Sequence, residues 1–125
     1  MTTGKSNKEA QRQLQLDFTI TPKTAGLLVQ LGYHSYRDLR RVSPNHVAAQ
    51  LNALPGMSKA QIDGYRRALR RMVWLATQEN PQEHAKICSE WTNKSLKIRR
   101  MWRDDFDGLT GDEVNELHLK ATASG

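Results

Sequence analysis

Apolar residues recur along this chain of 125 residues at intervals of three and four, which is the spacing of one side of a helix. No stretch alternates apolar and polar residues with a period of two, so the pattern predicts no strand. The longest helix is expected over residues 59–78, with basic side chains opposite its apolar side. That apolar side consists of Ile62, Tyr65, Leu69, Met72, Val73 and Ala76. The sequence therefore predicts an all-α fold.

Serine and threonine residues stand where the predicted helices begin, in the position of N-caps. Thr21 and Ser43 are each followed by proline, which suits a first turn because its missing N–H needs no partner there. Ser58 caps the longest helix, and Ser6 with Glu9 has the spacing of a capping box. These signals predict helical segments at 9–16, 22–31, 36–41, 46–53 and 59–78, with Ala10, Leu14 and Leu16 facing inward in the first.

The chain after residue 81 has weaker helical patterns. The first, over 82–91, would bury Ala85, Cys88 and Trp91, and the second contains Leu96, Ile98, Met101 and Trp102. Thr110 and Glu113 have the spacing of another capping box, so a further helix is expected to begin there.

Charge divides the chain near residue 104. The final segment has six acidic residues and one lysine, a net charge of −5, whereas the part before it has 18 basic and seven acidic residues, a net charge of +11. Four parts are predicted: a disordered N-terminus (1–5), a domain (6–78), a basic helical extension that packs on the last helix of the domain (79–103) and an acidic tail (104–125). The tail has three interpretations: a disordered end, a segment that folds back on the arginines as a competitor for DNA, or a site that recruits a basic partner.

Composition argues against several classes of protein. No run of 18 apolar residues could span a membrane, and the N-terminus lacks the apolar core of a secretory signal. Cys88 is the only cysteine, which favours a reducing, cytoplasmic compartment. His84 and Cys88 lie four apart, but two ligands do not make a zinc site, and no catalytic motif accompanies them. We therefore expect no metal, no cofactor and no enzymatic activity.

Two short corners coincide when the chain is offset by 37 residues. Thr19-Ile20-Thr21 then falls on Gly56-Met57-Ser58, and a predicted helix precedes and follows each corner. The apolar middle residue of each corner can fill the space between its two helices. A helix that starts at such a corner points backbone N–H groups outward, and these groups can hold a phosphate beside Lys23 or Lys59.

This arrangement resembles the helix-hairpin-helix motif, doubled into a five-helix, SAM-like bundle. Residues 10–95 are similar to a small bacterial family, the pathogenicity-locus helix-hairpin-helix proteins. The motifs that carry the resemblance are Pro22-Lys23-Thr24-Ala25, Leu31-Gly32, Ser35-Tyr36-Arg37-Asp38-Leu39 and Glu90-Trp91-Thr92-Asn93-Lys94. Together with the basic body and the paired corners, the resemblance implies a non-enzymatic protein that binds DNA through its phosphates, and hence without sequence preference.

Both corners depart from the usual glycine–apolar–glycine hairpin, whose glycines admit a positive φ and let a phosphate approach the backbone. The first corner has Thr19 and Thr21 in their place, and β-branched residues strongly disfavour a positive φ. We therefore expect the first corner to be rebuilt locally. The second corner keeps Gly56 and is the stronger candidate for phosphate binding.

The residues expected at phosphates come from the two corners and from the basic side of the longest helix. They are Lys23, Thr24, Gly56, Ser58, Lys59, Arg66, Arg67, Arg70 and Arg71. In the alternative interpretation, the corners only turn the chain and the arginines form a solvated helix side.

Trp74 stands among these arginines and has two interpretations. It is either exposed, where it stacks on a base or meets a partner, or it lies beneath the C-terminal segment. In the second case Trp91 or Trp102 completes a small second core with it. The alternative function is accordingly a protein-interaction module of the same SAM-like fold, in which Trp74, Trp91 and Trp102 contact a partner or the tail.

Overall fold

The computed structural model describes residues 7–85 and 91–124, and within these ranges it contains helices and no strand. The helices are α1 (Asn7–Phe18), α2 (Pro22–Gln30), α3 (Pro44–Asn52), α4 (Lys59–Leu75), α5 (Pro81–Ala85), α6 (Asn93–Ile98) and α7 (Gly111–Ser124). Two 3-10 turns, Tyr36–Leu39 and Phe106–Gly108, complete the described elements. The predicted all-α class is confirmed.

Several predicted helix starts are confirmed by their side-chain hydrogen bonds. The Thr21 hydroxyl accepts the N–H of Thr24 at 3.2 Å. Ser58 exchanges two bonds with the residue three positions later, as does Thr110 with Glu113. The predicted box that begins at Ser6, the proposed disorder of residues 1–5 and the middle of the helix predicted over 82–91, which includes Cys88, lie outside the described residues.

Helix α4 occupies the centre of the molecule, where it packs against α3, α5 and α7. The main buried cluster joins Leu14 and Phe18 of α1 to Leu69 and Val73 of α4 and to Val114 of α7. A smaller cluster between α3 and α4 contains Ala48, Leu51 and Ile62. Residues from the predicted domain, extension and tail thus share one core.

Two apolar residues lie differently from the predicted pattern. Leu16 is 55% exposed, whereas Phe18 is fully buried. Because α1 extends two residues beyond the predicted end, Phe18 takes the inward position one helical turn after Leu14. Ile98 is 73% exposed, since α6 buries Leu96 and then ends, and the chain turns before Met101 enters the core.

The C-terminal segment folds back on the rest of the chain. Gly111, the first residue of α7, is buried, and the next backbone N–H, that of Asp112, donates to the carbonyl of Arg40 at 3.2 Å. The Asp112 carboxylate also pairs with the Arg40 guanidinium at 2.6 Å. The described part of the acidic segment is therefore packed against the rest of the fold, and competition with DNA stays a prediction.

Candidate nucleic-acid interface

The two corners have matching backbone conformations. Thr19 and Gly56 both lie in the left-handed region, with φ of 56° and 82°. Thr21 and Ser58 are both extended N-caps, with φ of −72° and −84°. The expectation that the first corner would be rebuilt is therefore wrong: Thr19 itself adopts the positive φ. A hydrogen bond at the end of α1, from the N–H of Ile20 to the carbonyl of Gln15, closes the helix in this conformation.

Thr19→Gly is expected to raise the free energy of unfolding by about 1 kcal/mol, because glycine adopts a positive φ without the strain of a β-branched residue. The Thr19 side chain is exposed, so little packing is lost. Urea denaturation followed by circular dichroism measures the change. The matched variant Thr21→Ala should lower stability by about 1 kcal/mol, because it removes a cap at an ordinary φ. A destabilised Thr19→Gly protein would show that the threonine side chain itself stabilises the corner.

The second corner leaves more backbone N–H groups available to an anion than the first. Ser58 and Gln61 satisfy each other, but the N–H groups of Met57, Lys59 and Ala60 have no acceptor among the residues that the structure describes. These groups lie at the start of α4, a helix of 17 residues, whose dipole favours negative charge there.

The first corner has fewer such groups. Pro22 has no N–H, and the N–H of Thr24 donates to Thr21. The Thr24 hydroxyl is also bonded to the Thr21 hydroxyl, at 3.0 Å, and the N–H of Ile20 is used at the end of α1. Lys23 is exposed, and the N–H groups of Thr21 and Lys23 have no acceptor within the described residues, two groups against three at the second corner. The second corner therefore has one more available backbone donor than the first, and its role as an anion site stays a prediction.

Two open depressions of about 500 and 560 Å³ flank α4 and share Asp63 and Arg66. The first lies between α3 and α4, and the second lies between α4 and the start of α6. We call their combined lining the α4 groove; it consists of Asn45, Ala48, Ala49, Asn52, Lys59, Ile62, Asp63, Arg66, Arg67, Arg70, Thr92, Asn93, Lys94 and Asp107. Along α4 it extends for about 16 Å, from Lys59 at the second corner to Arg70.

Three cations in the α4 groove are exposed and pair with no carboxylate in the described ranges: Lys59, Arg67 and Lys94. Arg66 is half-buried and pairs with Asp63 at 2.6 Å. Arg71 does not line the groove, and burial lowers the pKa of its guanidinium below the ordinary value for arginine. The predicted arginines thus differ in what they can offer an anion, and Arg67 is the freest of them.

Arg70 is a correction to the predicted basic side, because its side chain is buried rather than solvated. Its guanidinium forms two bonds to the Asp107 carboxylate, at 2.6 and 3.0 Å. It also donates to the Trp91 carbonyl and to the Asn93 side chain, and it stacks over the ring of Trp102 at 5.4 Å. Arg70 therefore holds the C-terminal segment on α4, and four of its five N–H donors are already used by partners within the described residues.

Trp74 lies beneath the C-terminal segment, as the second of its two interpretations expects, and its side chain is only 2% exposed. Its indole N–H donates to Asn115 of α7 at 3.1 Å, and its ring contacts the rings of Trp91 and His118. Burial lowers the pKa of His118, and the neighbouring Arg99 and His84 lower it further. The tryptophans belong to the main cluster rather than to a separate core.

Lys94 is a groove residue that the sequence reasoning missed, although a signal for it exists. The segment 91–103 contains five basic residues and no acidic residue. The sequence predicts a basic extension over 79–103 but assigns none of its basic residues to phosphates, because its tryptophan pattern indicates packing.

The described part of the chain shows no group of three or more histidine, cysteine, aspartate or glutamate residues that could hold a metal ion. Within the same residues, no helix is both long enough and apolar enough to cross a membrane. Comparison of the chain with protein-family models, curated proteins and solved structures finds no match.

Proposed function

We propose that this chain is a doubled helix-hairpin-helix protein that binds the backbone of duplex DNA without sequence preference and without catalysis. The observation that carries the proposal is the α4 groove. It begins at backbone N–H groups of the second corner that have no acceptor within the described residues, and it continues past three cations that pair with no carboxylate there. Lys59, Arg67 and Lys94 supply the charge, and the N–H groups of Lys59 and Ala60 supply directed donors. Contacts of this kind recognise phosphate and carry no information about bases.

The composition of the α4 groove favours a duplex over a single strand. Proteins that bind single strands without sequence preference stack the bases on aromatic side chains. Among the described residues that line the groove, none is aromatic. Tryptophan side chains are close by, but Trp74 and Trp91 are buried in the core. The groove therefore suits the outside of a helix whose bases are already paired.

Binding of a short duplex should weaken steeply with salt. If Lys59, Arg67 and Lys94 each neutralise one phosphate, log affinity should fall against log salt with a slope of about −2.7 or steeper. Fluorescence anisotropy with duplexes of unrelated sequence measures the slope, and Lys59→Gln should make it shallower by about 0.9. Lys8→Gln, an exposed position on α1 away from the groove, is the matched control. Unchanged duplex anisotropy at low salt would sink the proposal.

The alternative of a protein-interaction module has less support. Its expected contact, Trp74, is covered by α7 and by Trp91, so the ring does not reach a partner without displacement of the C-terminal segment. Trp102 is half-buried and stacks on Phe106.

A further inference from the structure

The acid-free segment 91–103 presents basic side chains beyond the α4 groove. Two of its five basic residues are engaged: Arg99 lies over the ring of Trp91 at 4.6 Å, and Arg103 pairs with Asp105 at 2.8 Å. The other three are exposed and pair with no carboxylate that the structure describes. They are Lys94, Lys97 and Arg100.

Helix α6 directs these cations away from the core. Leu96 is fully buried and fixes the inward side of the helix. Lys94 and Lys97 are three residues apart, so they share one side of α6. Because Lys94 also lines the α4 groove, the exposed side of α6 continues the basic surface of the groove.

Arg100 adopts a backbone conformation that an L-residue rarely adopts, with φ of 61°. It follows α6 at the position where helices commonly have glycine, since the N–H of Met101 donates to the carbonyl of Leu96 at 2.8 Å. The Arg100 side chain is exposed and forms no hydrogen bond or ion pair within the described residues, so the strain is offset by the closing bond of Met101 rather than by this side chain. Strained residues cluster at functional sites, so an arginine held at a positive φ with a side chain that the fold does not use is a candidate for contact with a ligand.

We propose that Lys97 and Arg100, together with Lys94, form a second contact with the DNA backbone, so that the duplex is held at both ends of the α4 groove. This inference rests on the proposed function and extends it to α6. A polyanion fits this surface better than a lipid bilayer does. Helices that lie on a membrane need a broad apolar side. In segment 91–103, all of which the structure describes, Ile98 is the one large apolar side chain that is strongly exposed.

The first test removes two charges from α6 in the full chain. With five phosphate contacts in total, the slope of log affinity against log salt should be about −4.5, and Lys97→Gln/Arg100→Gln should reduce it to about −2.7. Affinity for a duplex at 0.1 M salt should fall by at least about tenfold. Lys8→Gln/Arg12→Gln, which removes the same charge from exposed positions on α1, should leave both values unchanged.

The outcomes separate the two proposals. If the unaltered chain binds the duplex and Lys59→Gln weakens binding while Lys97→Gln/Arg100→Gln does not, the second contact is wrong and the proposed function stands. If the unaltered chain does not bind the duplex at low salt, both are wrong. If Lys97→Gln/Arg100→Gln loses binding to phosphatidylserine vesicles that the unaltered chain binds, and its binding to the duplex is unchanged, then α6 contacts a membrane surface. That result would overturn the inference.

A second test uses the strain at Arg100. Arg100→Gly should raise the thermal midpoint of unfolding by about 3 °C, because glycine relieves the positive φ. The same variant should bind the duplex more weakly, with a salt slope shallower by about 0.9. A lower thermal midpoint would show that the Arg100 side chain stabilises the fold. An unchanged salt slope would show that this side chain does not contact a phosphate. Either result contradicts the inference.

Discussion

Gly111→Ala is expected to lower the free energy of unfolding by about 3 kcal/mol, because the added methyl group meets backbone on two sides. A Cβ built on Gly111 would lie 2.2 Å from the carbonyl oxygen of Val73 and 2.8 Å from that of Arg40. Neither atom belongs to a flexible side chain, so α7 must move away from α4 as a unit. That movement would also disturb the hydrogen bond from the N–H of Asp112 to Arg40.

The matched control is Gly64→Ala in the middle of α4, where a Cβ would meet nothing within 4 Å. Alanine there should raise the free energy of unfolding by about 0.5–1 kcal/mol, because it restricts the unfolded chain and favours the helix. Urea denaturation of both variants, followed by circular dichroism and by tryptophan fluorescence, measures the two changes. Equal stability of Gly111→Ala and the unaltered chain would mean that α7 does not dock on α4 as the structure places it.

Helix starts were predictable because their causes are local. Thr21, Ser58 and Thr110 cap helices through contacts with residues three positions later, and such contacts are visible in the sequence. The end of α1 was less predictable. Leu16 and Phe18 are both apolar, and which of them is buried depends on how α1 packs against α2 and α5, which no local pattern contains.

The basic side of α4 shows why a local pattern misjudges a central helix. Four arginines opposite an apolar stripe are typical of a helix with one solvated side. Here the C-terminal segment covers part of that side, so Arg70 and Trp74 are buried. The partner that makes this burial possible is Asp107, which lies 37 residues further along the chain and which nothing near Arg70 indicates.

The candidate site was predictable where it depends on the second corner and less so elsewhere. Gly56 and Lys59 were identified from the hairpin pattern, and the structure places Lys59 at one end of the α4 groove. The prediction for Thr19 was wrong because a positive φ at a β-branched residue costs only about 1–3 kcal/mol. The packing of α1 and the hydrogen bond that closes the helix can offset that cost. Lys94 was missed because the predicted packing of residues 79–103 on the longest helix does not specify which of their basic side chains lies beside the groove.

Asp107→Asn is expected to lower the free energy of unfolding by about 3 kcal/mol, because it leaves the Arg70 guanidinium buried without a counter-charge. The Arg70 side chain is only 5% exposed and that of Asp107 20%, so water cannot replace the lost carboxylate fully. The remaining bonds of Arg70, to the Trp91 carbonyl and to Asn93, satisfy hydrogen-bond donors but do not neutralise the charge. Thermal and urea unfolding of the variant measure the loss.

The control is Asp105→Asn, which breaks the exposed pair with Arg103 and should change stability by no more than about 0.5 kcal/mol. The double variant Arg70→Met/Asp107→Asn removes the unpaired charge and should recover part of the loss, with a coupling energy above about 1.5 kcal/mol in the double-mutant cycle. If the losses of stability caused by Arg70→Met and Asp107→Asn simply add in the double variant, then the interaction between the two side chains does not stabilise the fold. Asp107 belongs to the acidic segment, so a large coupling energy would establish that this segment is part of the folded core. Removal of residues 104–125 is then expected to unfold the chain rather than to expose its basic surface.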